Sequence, residues 1–135
     1  MHSKTISNLS LLTGRAMLAA MFISAGFSKI GAYTGTQAYM ESVGVPGLLL
    51  PAVIALEIVG GFAVLAGFQT SITALLLAGF TLVATVIFHS DFSQQIQTIL
   101  FTKNIAITGA FLLLYAHGPG DWSLNFGSRA RRATA

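Results

Sequence analysis

Four apolar stretches, at residues 9–30, 47–68, 72–89 and 99–117, dominate this 135-residue chain. Each is close to the roughly 20 residues that an α-helix needs to cross the hydrocarbon core of a bilayer. The first would measure about 33 Å as a helix. Only 8% of the residues are charged and 54% are hydrophobic, whereas soluble domains carry about 25% charged residues. Such a chain cannot coat a water-facing surface. The expected fold is all-α: one transmembrane domain over residues 1–135, an integral membrane four-helix bundle in which the spans leave room only for loops and tails.

The formal charge of +3 includes Arg129, Arg131 and Arg132 in the tail. This cluster reads as a topology signal, so no nucleic-acid partner is expected. With Lys4 it places both termini on the cytoplasmic side by the positive-inside rule. Lys4 followed by an apolar run also suggests a signal peptide, but Arg15 interrupts the run and no clean cleavage site follows. The chain has no cysteine, which removes thiol catalysis and thiolate metal sites. It also lacks a haem motif and a dinucleotide fingerprint, so no covalently bound cofactor is expected.

Between the first two spans lies a polar loop over residues 31–46, in which residues 37–43 suggest a short surface helix and Tyr33 and Tyr39 suit the interface. Gln69, Thr70 and Ser71 form a tight connection, making the second and third spans an antiparallel hairpin. Residues 90–101 read either as an interfacial helix or as a lead into the fourth span, which Gly118, Pro119 and Gly120 end before Trp122.

At 100° per residue, the first span aligns Arg15, Ala19, Phe22, Gly26 and Lys29 on one face, and the second aligns Glu57 with Gly60 and Gly61. The third aligns Ala74, Ala78, Thr81, Thr85 and His89, and the fourth aligns Asn104, Thr108, Phe111 and Tyr115. The small residues Ala16, Ala20 and Ser24 read as helix packing. A charge at mid-bilayer costs about 2.5–3.5 kcal/mol on insertion scales, so Arg15 and Glu57 are expected to pair. The pair reads either as a structural bridge that fixes helix register or as part of a polar cavity.

Lys29, His89, Lys103 and Asn104 are expected to converge near the outer ends, as donors to an anionic or carbonyl-bearing ligand. The lysines could equally snorkel to the headgroups, and His89 could simply cap its helix. No metal site is expected, because no second histidine stands at ligand spacing and His2 and His117 fall at the opposite face.

The same residues carry a family resemblance. Arg15 with GFSKI at 26–30, YMESVGVPG at 39–47, EIVGG at 57–61, AGFTLVAT at 78–85, FH at 88–89, KN at 103–104 and GPG at 118–120 form an ordered set covering almost the whole chain. This set resembles the DoxX family of small four-span bacterial membrane proteins, and within it the YqjF-type proteins. The resemblance implies a multi-pass protein of the bacterial cytoplasmic (inner) membrane and carries an oxidoreductase label. Some relatives are similar to the membrane subunit of a thiosulfate:quinone oxidoreductase, and others are associated with quinone or aromatic-compound stress.

The polar residues that match the family pattern are Arg15, Lys29, Glu57, His89, Lys103 and Asn104, and the resemblance assigns none of them a catalytic role. Near the tail, where Ser-x-Asp is expected, the chain has Ser123, Leu124 and Asn125. Two function classes follow. One is a quinone-linked oxidoreductase component that interacts with quinone or small aromatic compounds and takes electrons from a redox partner subunit. The other is a non-enzymatic scaffold or small-solute export protein, which at this size needs a homo-oligomer.

Overall fold

The structure is a computed structural model that describes residues 2–124, and these form α1 (His2–Gly31), α2 (Tyr33–Ser42), a 3-10 turn (Gly47–Leu49) running into α3 (Leu50–Ala66), α4 (Thr70–Phe88) and α5 (Gln95–His117). Arg129, Arg131, Arg132 and Asn125 lie outside the described residues. Four segments are long and apolar enough to cross a membrane: Ser3–Gly31, Gly47–Ala66, Thr70–Phe88 and Gln95–His117. The fold is a four-helix membrane bundle. One end, termed the terminal end, carries the start of α1 and the end of α5. The other, the α2 end, carries α2 and the turn before α5.

Local chemistry sets the helix limits. The second span stops at Ala66, short of Phe68, because Gly67 turns left-handed at φ 69°. The Phe68 N–H then donates to the Ala63 carbonyl at 2.9 Å and the Gly67 N–H to the Val64 carbonyl at 3.2 Å, the two bonds of a Schellman cap. The third span begins at Thr70, immediately after this turn. The fourth begins at Gln95, earlier than residue 99, so the mixed segment before it leads into the span. In the turn, Asp91 accepts from the Ser93 backbone N–H at 3.2 Å. The surface helix is longer than residues 37–43, starting at Tyr33.

Packing is tightest between α1 and α3 and between α4 and α5. Glycine permits the first of these contacts. A Cβ at Gly26 would lie 2.5 Å from Ile58 Cγ1, and one at Gly61 would lie 2.7 Å from Ile23 Cγ1 and 3.3 Å from the Ala19 carbonyl oxygen, so neither helix could approach with a side chain there. The helices run antiparallel. Gly60 faces Leu77 across the α3–α4 hairpin. The core at this level is Ala19, Phe22, Val64, Ala74, Leu77, Ala78, Phe111 and Leu114. Phe22 and Phe111 meet edge to face with centroids 5.4 Å apart.

The buried faces of α1, α3 and α4 are those the wheel arithmetic gives. On α5 the inner stripe is Thr108, Phe111 and Leu114, and Tyr115 points outward, correcting its inclusion. Of the small residues expected in helix packing, Ala16 is half-buried, whereas Ala20 and Ser24 are exposed.

Gly67→Ala is expected to lower stability by at least about 1–2 kcal/mol, the cost of a left-handed alanine, read as a reduced Tm in detergent. Gly79→Ala serves as the control and does not lower Tm, because a Cβ there meets nothing within 4 Å and alanine is the better helix former.

Candidate functional site

The ionisable residues separate into two clusters at different depths. At the terminal end, Arg15 is 1% exposed. Its Nη1 donates to the carbonyls of Leu65 at 2.9 Å and Val64 at 3.3 Å, and Nη2 donates to the Trp122 carbonyl at 2.5 Å. The Leu124 N–H donates to the Ala66 carbonyl at 3.0 Å. With the Schellman bonds, every carbonyl in the last turn of α3 from Ala63 to Ala66 has a donor, as a helix end sealed from water requires. A cation at this position also faces the negative end of the α3 dipole.

Residues 118–124 fold back against the end of α3 and the first half of α1 to complete this cluster. Gly118 and Gly120 take positive φ, 91° and 84°, and Pro119 is fully buried. Asn8 Oδ1 accepts from the Asp121 N–H at 3.2 Å, and Lys4 lies 3.4 Å from Asp121. Arg15 is thus a clamp joining α1, the end of α3 and the chain after α5.

Glu57 is elsewhere and has a different partner. Lys29 Nζ lies 2.8 Å from Oε1 and donates to Oε2 at 3.1 Å. The expected Arg15–Glu57 pair is therefore corrected to Lys29–Glu57, and helix geometry supplies the reason. Side chains on a helix lean towards its N-terminus. On antiparallel α1 and α3, Arg15 leans to the terminal end while Glu57 leans to the α2 end, so they diverge. Lys29 leans inward from the α2 end, and the two converge. Glu57 and Val64 are also separated by about 11 Å of helix rise.

The Lys29–Glu57 pair forms part of the wall of a cavity of about 480 Å³ at the α2 end, bounded by α1, α2, α3 and α4, with Asn104 reaching in from α5. Most of the lining is apolar, including Phe22, Leu50, Val53, Phe80, Ala84 and Phe88. The other polar contributors are Thr36, Tyr39, Thr81 and His89. His89 Nδ1 lies 2.9 Å from Gln97 Oε1; an amide oxygen only accepts, so in this arrangement Nδ1 donates and Nε2 is left outside that bond. The Thr81 Oγ1 is buried with no hydrogen-bond partner, although the Thr81 carbonyl accepts from Thr85 at 2.6 Å.

Of the six expected site residues, the structure brings four together around this cavity: Lys29, Glu57, His89 and Asn104. Arg15 belongs to the clamp. Lys103 is exposed and does not line the cavity, since it sits 100° around α5 from Asn104. Thr81 and Tyr39 were not singled out for the site. For Thr81 the signal was present, because it shares a helical face with Thr85 and His89.

A protein-family model, DoxX, matches residues 10–90. The chain belongs to the DoxX family. It is 48% identical over 122 residues to the inner membrane protein YqjF of Escherichia coli (strain K12), covering 90% of this chain and 94% of that protein. It is 38% identical over 122 residues to the inner membrane protein YphA of the same organism, covering 85% and 87%. A more distant relative in Bacillus subtilis (strain 168), named "Putative oxidoreductase CatD", is 27% identical over 106 residues, covering 73% and 78%. No solved structure matches the chain. With four membrane-crossing helices and inner-membrane relatives, this DoxX-family protein is a multi-pass protein of the bacterial inner membrane embedded in the lipid bilayer.

Double-mutant cycles discriminate the two clusters. Lys29→Met and Glu57→Gln are expected to be non-additive in unfolding free energy, with a coupling of about 1–3 kcal/mol. Arg15→Met and Glu57→Gln are expected to add. Coupling between Arg15 and Glu57 instead would contradict the assignment of two clusters.

Proposed function

We propose that the cavity binds the ring of a quinone or a related small aromatic carbonyl compound, and that the protein is the membrane component of a redox system whose electrons come from a partner subunit. The observation that carries this reading is a charged pair, Lys29–Glu57, set into the wall of an otherwise apolar cavity of single-ligand size. Ligand sites typically measure about 300–1,000 Å³ and combine apolar walls with a few convergent polar groups.

The donor set fits such a ring. The aromatic walls suit a flat π face. Lys29 Nζ and the Asn104 amide can donate to carbonyl oxygens, while Glu57 can accept from hydroxyls and the His89 imidazole can do either according to its tautomer. A bound quinone supplies two-electron, two-proton redox chemistry. The chain supplies position, exclusion of water and groups that can hold a proton, chiefly Glu57 and His89. It contains no cysteine, so no thiol of its own can carry the electrons. The oxidoreductase name of the Bacillus relative supports the same reading.

The test is to purify wild type, Glu57→Gln and Lys103→Gln from native membranes in mild detergent and to quantify extracted quinone by absorbance and mass. Wild type and Lys103→Gln are expected to carry quinone, and Glu57→Gln to lose most of it while keeping its fold. Wild-type protein that neither retains nor takes up quinone would sink the redox reading and leave the scaffold or solute-export role.

A further inference from the structure

We infer that the cavity is loaded sideways from the bilayer, through a gap between α3 and α4, and that its ligand is an amphiphile whose ring reaches the Lys29–Glu57 pair while its hydrocarbon tail stays in the lipid. This rests on the reading of the cavity as a ligand site. The first observation is the rim. Leu49 on the 3-10 turn and Val83 and Ile87 on α4 line the cavity and are 49%, 59% and 41% exposed. All three are apolar, so this mouth of the cavity is one that hydrocarbon can occupy, and Met21 of α1, also in the lining, is 40% exposed.

The second observation is the shape of the hairpin. The α3–α4 turn is tight and the helices meet where Gly60 faces Leu77. Towards the α2 end, both helices contribute walls to the same hollow, with Val53 and Glu57 on one side and Thr81, Ala84 and Phe88 on the other. From the 3-10 turn into α3, Leu49, Val53 and Glu57 recur every four residues, a line of positions about 12 Å long from the rim to the carboxylate.

The third observation is that the aqueous side of this gap is strapped. α2 is tied to the start of α3 by Gln37 Nε2, which donates to the Gly47 carbonyl at 3.1 Å. It is tied to the end of α4 by Tyr39, whose ring lies 5.5 Å from that of Phe88 and whose hydroxyl donates to the Phe88 carbonyl at 3.5 Å. Met40 is buried beneath it and lines the cavity. A polar solute from water would have to pass this strap or desolvate at an apolar rim. A lipid-dissolved tail meets neither obstacle.

The test uses the full-length protein in lipid nanodiscs with two probes, a dimethoxy-methyl benzoquinone without a tail and the same ring with a decyl tail. Loading is read as a rate, because the route of entry shows in rates and not in equilibrium affinity. At equal free aqueous concentration the tailed probe, far more abundant in the lipid, is expected to load wild type roughly tenfold faster or more. Val83→Trp with Ile87→Trp, which fills the rim, is expected to abolish most of that advantage. Leu82→Trp, exposed but off the cavity lining, leaves it intact. The comparison of probes on wild type stands even if the rim variant fails to fold. Equal loading rates for both probes, or indifference to the rim variant, would overturn sideways loading while leaving the ring site standing. Failure of wild type to bind either probe would overturn the proposed function itself, and this inference with it.

Discussion

The rest of the structure depends on the close antiparallel crossing of α1 and α3. Gly26 against Ile58 and Gly61 against Ala19 and Ile23 hold the two helices at a separation no side chain would permit. That contact sets their register. Once the register is fixed, the lean of helical side chains decides which charges can meet. Lys29 falls onto Glu57, and Arg15 falls onto the carbonyls that end α3. One packing decision therefore yields both a neutral ion pair at one depth and a cation bound to helix-end dipoles at another.

The two clusters handle the cost of buried charge in different ways. Glu57 is offset by an opposite charge, and Lys29 retains partial exposure, so the pair avoids the full desolvation penalty of an isolated ion. Arg15 is buried, and its guanidinium donates three hydrogen bonds to backbone carbonyls. Its charge is stabilised by the Leu65 carbonyl, which would otherwise be an orphan of the α3 terminus, by the Val64 carbonyl, which it shares with the Gly67 N–H, and by the Trp122 carbonyl that the folded-back segment brings in. Gly67 is central to this arrangement. Its backbone ends α3, and a Cβ there would lie 2.6 Å from Arg15 Nη1 and 3.2 Å from Pro119 Cβ. The clamp and the helix stop are one feature.

Much of this was legible in the sequence, for identifiable reasons. The spans follow from apolar length, and the inner faces of α1, α3 and α4 follow from the helical period, because each carries polar or small residues that would be costly or wasted against lipid. The pairing of charges was not legible, since wheel angles place residues around a helix but say nothing of depth or lean between two helices. Lys103 and Asn104 show the related failure. As neighbours in sequence they suggest one donor site, yet a step of 100° puts one outside and one in. Tyr115 was misplaced because Leu114 fills the inner position one residue earlier.

The ends of the bundle differ in a way that bears on the chemistry of the cavity. At the terminal end the chain after α5 fills the space beneath the α3–α4 turn, whereas α2 bridges the opposite end without filling it. The hollow left behind has a polar wall whose charges already satisfy each other. An anionic ligand would draw Lys29 away and leave Glu57 as an unpaired buried carboxylate, and a cationic one would strand Lys29, each at a cost that breaking a buried pair imposes. A neutral head with carbonyl oxygens can bond to Lys29 protons not used by Glu57. Of the anionic and carbonyl-bearing ligands that the sequence left open, the register of α1 against α3 thus favours the neutral carbonyl ring.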